Sequence, residues 1–157
     1  MIFSSPKLTN PLMGSELHDE RTFYQAFTKD LLKCRKEIII ESPFVTSKRM
    51  TFFRPHFQQL INRGVEIYII TRDPLEHTEG YQIQSELEIQ EFERIGVHTF
   101  LCTGNHHRKL AILDREILWE GSLNILSQTK SREIMRRIRG KEWADQMFHF
   151  LQLEKLI

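Results

Sequence analysis

The sequence predicts an α/β fold in which a mixed, largely parallel β-sheet is sandwiched between helices. Three observations carry this expectation. Two β-branched runs, Glu37 to Ser42 and Val65 to Thr71, stop at Pro43 and at Asp73-Pro74 and suit strands buried on both faces. Segments with apolar residues at helical spacing alternate with these runs. The resulting αβαβαβ order over the first hundred residues layers helices on a sheet.

Residues 1–18 read as an irregular lead-in or linker, with Pro6, Pro11 and Gly14 among small polar residues, and residues 19–157 read as a single domain. From Asp19, the spacing of Phe23, Phe27 and Leu31, with Ala26 beside them, predicts a helix running to residues 33–36 with that stripe in the core. A second helix is expected over Phe57 to Asn62, ending at Arg63 with Gly64 as its cap. An acidic amphipathic helix follows over Gln82 to Ile95, closed by Gly96, with Glu86, Glu88, Glu91 and Glu93 expected to face water. Val97 to Cys102 makes a third strand. Lys109 to Leu113 and Ile117 to Trp119 flank the turn-like Asp114-Arg115-Glu116 and predict two adjacent central strands, with another over Glu133 to Ile138. A last helix from Glu142 places Trp143, Met147, Phe150 and Leu151 on one face, for the core or a dimer interface.

At 157 residues the chain suits one domain with a real core, and 22 Lys+Arg against 21 Asp+Glu leave no global field to announce a partner. The distribution says more. Lys130, Arg132, Arg136, Arg137, Arg139 and Lys141 cluster against Glu133 alone, a basic edge that is either a solvated face or a contact for nucleic acid. Cys34 and Cys102 are far apart and show neither a disulfide framework nor a zinc-type pair spacing, so they read as core residues of a helix face and a strand end. No signal peptide or membrane span is evident, and a cytoplasmic location is the expectation.

The chemistry concentrates in His107-Arg108-Lys109-Leu110-Ala111-Ile112-Leu113-Asp114, followed after six residues by Gly121-Ser122-Leu123-Asn124. His107 and Lys109 lie two apart at the start of a strand and therefore project from one face. Lys109 abuts an apolar run, where an ammonium is costly unless an anion answers it. Ser122 and Asn124, with backbone N–H groups around Gly121, supply donors for phosphate oxygens. Asp114 has the opposite strand parity and is assigned an orienting or charge-balancing part rather than substrate contact. Seen alone, Lys109 reads as a snorkelling lysine and Asn124 as a turn residue; their joint spacing overturns that. His106 also offers an imidazole, but only His107 stands two before a lysine. Cys102, His106, His107 and Asp114 match no common zinc pattern, and no metal or other cofactor is expected.

This pattern, His-x-Lys-x4-Asp followed by Gly-Ser-x-Asn, resembles the signature of the phospholipase D superfamily. Six specified residues coincide by chance in a chain of this length on the order of once in a million. The resemblance implies a metal-independent phosphodiesterase in which His107 attacks phosphorus to give a phosphohistidine, Lys109 and Asn124 stabilise the non-bridging oxygens, and Glu133 orients the partner histidine. Glu41-Ser42-Pro43-Phe44 is a further, weaker point of likeness. Members of the superfamily use two such motifs, and no second His-x-Lys occurs here, so the resemblance implies a homodimer whose two copies of His107 face each other.

For substrate, the basic stretch with Lys130, Arg132, Arg136 and Arg137 favours a nuclease on DNA or RNA, either alone or as a module of a larger protein. The alternatives are a phospholipid phosphodiesterase and a catalytically idle nucleic-acid-binding or dimerisation module.

Overall fold

Ile38, Ile39 and Ile40 are fully buried although they alternate between the two faces of a sheet, so both faces of that sheet must be covered. The computed structural model, which describes residues 14–157, shows how. Its elements are β1 (Glu16–Asp19), α1 (Phe23–Leu31), β2 (Glu37–Glu41), α2 (Ser47–Asn62), β3 (Glu66–Arg72), α3 (Glu79–Arg94), β4 (His98–Cys102), β5 (Leu110–Leu113), β6 (Ile117–Gly121), β7 (Ile134–Arg139) and α4 (Lys141–Phe150). Short 3-10 turns occupy Pro74–Glu76 and Leu153–Lys155.

The strands form one mixed sheet in the order β1-β7-β6-β5-β2-β3-β4. Parallel pairing is confined to β2 with β3 and β3 with β4; the other ladders are antiparallel, so the parallel share is smaller than expected. One face carries Phe23, Phe27 and Leu31 of α1, Phe53, Phe57 and Leu60 of α2, and Phe92 of α3, packed on Ile38, Ile40, Ile67, Ile69 and Trp119. The other carries Ala144 and Phe148 of α4 with Leu153, packed on Ile39, Ile70, Leu110, Ile112 and Leu118. The α/β sandwich is therefore as the alternation of apolar residues requires.

Several expectations are corrected. The first thirteen residues of the expected lead-in lie outside the described residues, but Glu16–Asp19 pairs with β7 as an edge strand. Helix α2 is ten residues longer at its start than expected, because Thr46 caps it and Pro55 sits on an exposed face where water satisfies the carbonyl that loses its partner. Gly64 and Gly96, at φ +85° and +103°, end α2 and α3 in the left-handed conformation. Cys34 lies beyond α1 rather than on its face, although it is buried. Glu88 is 8% exposed, not solvated, and burial pushes its carboxyl up, with Glu91 adding to the shift. Phe150 is 80% exposed, and the core face of α4 is centred on Ala144 and Phe148, with Trp143, Met147 and Leu151 partly buried against the same cluster.

The sheet is pinned internally by Asp30. Its carboxylate, 7% exposed, accepts from Trp119 Nε1 at 3.1 Å and from Arg137 Nε and Nη2 at 2.5 and 2.9 Å. Arg137, expected to be available to nucleic acid, is therefore committed to joining α1, β6 and β7.

Candidate active site

Strand direction decides where the motif residues meet. β5 is antiparallel to β2, which places Leu110 beside Glu41 at the end of β2 and beside Glu120 near the end of β6. Gly121 in turn pairs with Met135 at the start of β7. The segments 103–109, 122–133 and those leaving β2 and β3 thus emerge at one edge of the sheet, at the carboxyl ends of the parallel strands, where open α/β sheets place their ligands.

His107 and Lys109 lie on the first of these segments. Lys109 Nζ is 2.7 Å from His107 Nδ1 and donates to the His107 carbonyl at 2.6 Å. Burial, Lys109 and Arg72 push the His107 imidazole below its ordinary value. The Lys109 ammonium is likewise pushed down, chiefly by burial and further by Arg72, while Glu133 opposes the shift. Both cations are disfavoured for want of an anion.

Asn124 faces the same cleft from the second segment. Leu123, Ile125 and Leu126 around it are fully buried, and its carbonyl accepts from Ser127 N and Gln128 N at 3.1 and 2.8 Å, which fixes the turn. Its Oδ1 is buried without a hydrogen-bond partner among the described residues, and the donor its side chain can offer a phosphate oxygen is Nδ2. Gly121 admits no side chain: a Cβ there would sit on the Ile134 carbonyl oxygen and within 2.9 Å of Met135 Cα. Close approach of β7 to β6 requires it.

Ser122 lines the cleft, yet its hydroxyl accepts from Ile134 N at 3.1 Å and its own N–H donates to Ile134 O at 2.9 Å, so it ties β6 to β7. Glu133 reaches the cleft rim near Lys109 and Arg136 lines its wall, while Lys130 and Arg132 are exposed on the connecting loop. The cleft has a volume of about 890 Å³. Leu17, Ile134 and Phe150 form an exposed apolar rim to it.

Asp114 does not join this group. It follows the other end of β5, about 16 Å along the strand from Lys109 at ~3.3 Å per residue. There its carboxylate accepts from the backbone N–H groups of Arg35, Lys36 and Glu37 at 2.8, 2.8 and 3.0 Å and holds the start of β2. Its supporting part is played on the fold rather than on His107, and the same separation rules out an ion shared with His107.

Arg72 and Glu76, which the sequence did not single out, support the His107 segment together with Glu41 and His106. Glu41, 1% exposed, brings Oε2 to 3.4 Å from His106 Nε2 and 3.8 Å from Arg108 Nε. Burial pushes the Glu41 carboxyl up and the His106 imidazole down, so the pair rests toward its neutral form. Arg72 Nε donates to the His106 carbonyl at 3.3 Å, and the Glu76 carboxylate accepts from Gly104 N and Asn105 N at 2.6 and 3.1 Å. His106 is thus a buried prop under the loop, and His107 the open imidazole. Glu41 and Arg72 end parallel strands, and the rule for such ends is the signal that points to them.

Comparison with known proteins bears on the fold and the family. The chain spans 88% of its length on Nuc, a phospholipase D family member from Salmonella typhimurium, covering 91% of that chain with a TM-score of 0.71 at 15% identity. NucT from Helicobacter pylori matches over 88% of this chain and 92% of that one, with a TM-score of 0.70 at 17% identity. Phosphatidylserine synthase from Haemophilus influenzae shares the fold over 90% of this chain but only 37% of its own, with a TM-score of 0.64 at 15% identity. No curated protein matches the sequence significantly. The family model described as cardiolipin synthase, PLD-like domain, matches residues 27–152. That span holds strands β2 to β7 and the His107 motif, and the chain belongs to this family, within the phospholipase D superfamily of phosphodiesterases.

Proposed function

We propose that this domain, residues 19–157 with the strand β1 that completes its sheet, is a metal-independent nuclease. Two copies of His107 act on one phosphodiester. The observation that carries the reading is the convergence of His107, Lys109 and Asn124 in one open cleft to which the chain brings a single His-x-Lys pair.

The chemistry takes two displacements. His107 Nε2 attacks phosphorus, the P–N bond forms, and the leaving oxygen departs with a proton from His107 of the second chain. That imidazole then takes a proton from water, which attacks phosphorus and expels His107. Lys109 and Asn124 stabilise the added negative charge on the non-bridging oxygens.

In a single chain the imidazole is in the wrong tautomer for this. An ammonium is donor-only, so Lys109 against Nδ1 leaves the ring proton on Nε2. Glu133 of the second chain, accepting from Nδ1, would displace Lys109 toward the phosphate and free the Nε2 lone pair. The apolar rim of Leu17, Ile134 and Phe150 offers that second chain a surface to bury.

Nucleic acid is favoured as substrate because Arg136 lines the cleft and Lys130 and Arg132 are exposed on the loop that leads to Glu133, cations that can neutralise a polyanion. Among the described residues no helix is long and apolar enough to cross a membrane. The likeness to phosphatidylserine synthase and the apolar rim support a phospholipid substrate as the second reading.

End-labelled DNA and RNA should be cut in excess EDTA at a rate that added magnesium does not raise. Turnover of phospholipid vesicles with no cut strand would replace the first reading by the second.

The rate should trace a bell against pH. Because burial, Lys109 and Arg72 all disfavour the imidazolium of His107, the neutral nucleophile survives to lower pH, and the acid limb should fall below the ordinary imidazole value. Loss of the partner's imidazolium sets the alkaline limb. A monotonic rise from acid to alkaline pH in kcat/KM would sink the paired-histidine scheme.

A further inference from the structure

A second pocket, of about 480 Å³, opens beside His107 between the segments that leave β2 and β3 and the start of α3. Its working surface is Phe44, Arg72, His77 and Tyr81, with Gln84 and Ser127 at the edge. Phe44 presents its ring edge-on to the His107 imidazole, with centroids 6.3 Å apart, and packs on His77 at 5.2 Å. The guanidinium of Arg72 lies 5.0 Å over the Phe44 ring and is anchored through the His106 carbonyl. Tyr81 is 70% exposed and packs on no aromatic ring among the described residues, so its face is open. His77 Nε2 is buried without a partner.

The chemistry of these walls selects among occupants. A quaternary ammonium headgroup would be repelled by Arg72, whose guanidinium already lies over the Phe44 ring. An acyl chain would bury Arg72 and Gln84 against hydrocarbon. A flat, electron-rich ring with hydrogen-bonding edges suits these walls: it stacks on the open face of Tyr81, faces the Arg72 guanidinium, and offers its edge to Gln84 and Ser127. The Glu76 carboxylate at this wall accepts from Gly104 N and Asn105 N and lies 4.0 Å from Arg72 Nε, which offsets its charge.

We propose that this pocket holds one unpaired nucleobase adjacent to the scissile phosphate and so selects single-stranded nucleic acid. The proposal rests on the nuclease reading. A base inside a duplex cannot enter a pocket of this depth without leaving its stack, so paired strands carry that added cost.

The test uses the full chain and an end-labelled single-stranded oligodeoxynucleotide with one abasic site. Cleavage at the phosphodiester beside the abasic sugar should fall about tenfold below the other positions of the same strand. In Tyr81→Ala that dip should flatten, whereas in Ile83→Ala, exposed on the same helix but outside the pocket, it should remain. A uniform ladder across the abasic site in the parent overturns the pocket while leaving the nuclease reading intact. So does a dip that survives in Tyr81→Ala, or duplex cut as fast as single strand. Failure to cut any strand overturns the nuclease reading and the pocket with it.

Discussion

Replacing His107 with alanine is expected to lower turnover by at least about four orders of magnitude, because one substitution removes both the nucleophile and the general acid of a two-chain site. The sharper result comes from mixing. When parent and His107→Ala chains are combined in equal amounts and allowed to exchange, about one quarter of the dimers contain two copies of His107, so activity should fall to about one quarter. A site complete within one chain would retain half. The measurement is the initial rate of strand cleavage at constant total protein across mixing ratios, with native mass confirming that mixed dimers form. A quadratic dependence on the parent fraction supports the shared site, and a linear one excludes it.

The residues that make this prediction possible were legible in the sequence because they fall within a short continuous stretch. His107, Lys109, Gly121 and Asn124 are held by consecutive strands, so spacing alone reports their common edge. Long apolar runs were legible for the same reason, since burial on both faces leaves β2 and β3 no polar alternation. What the sequence hid depends on distant partners. Arg137 counts as a free cation in any composition, yet its carboxylate partner stands 107 residues earlier. Glu41, Arg72 and Glu76 reach the His107 segment from other strand ends, and no local pattern links them to it. β1, with the sequence Glu-Leu-His-Asp, lacks a hydrophobic signal and is a strand only because β7 offers an unpaired edge. Phe150 keeps helical spacing with Trp143 and Met147 but falls outside the face of α4 that Ala144 and Phe148 turn to the sheet.

The Arg137 correction leads to the second large effect, in Asp30→Ala. The Asp30 carboxylate is the acceptor for two Arg137 donors and for the Trp119 indole, and Arg137 is 13% exposed, so its removal leaves the indole N–H without an acceptor and the guanidinium with only the exposed Glu16 carboxylate at 3.6 Å. Breaking a buried pair from one side costs about 3–5 kcal/mol, a large share of the roughly 5–15 kcal/mol that holds a domain folded. Urea unfolding should therefore show a lower midpoint at an unchanged slope. The double variant Asp30→Ala with Arg137→Met removes the uncompensated charge as well, and should recover much of the loss because neither buried ion then lacks its partner. If the cost of Asp30→Ala is instead below about 1 kcal/mol, the value of an exposed pair, Arg137 is not held by the core and its charge is open to substrate. Arg137→Met would then weaken oligonucleotide binding and reduce its salt dependence, as loss of a phosphate contact does, whereas a core-bound Arg137 predicts an unchanged salt slope for the folded protein.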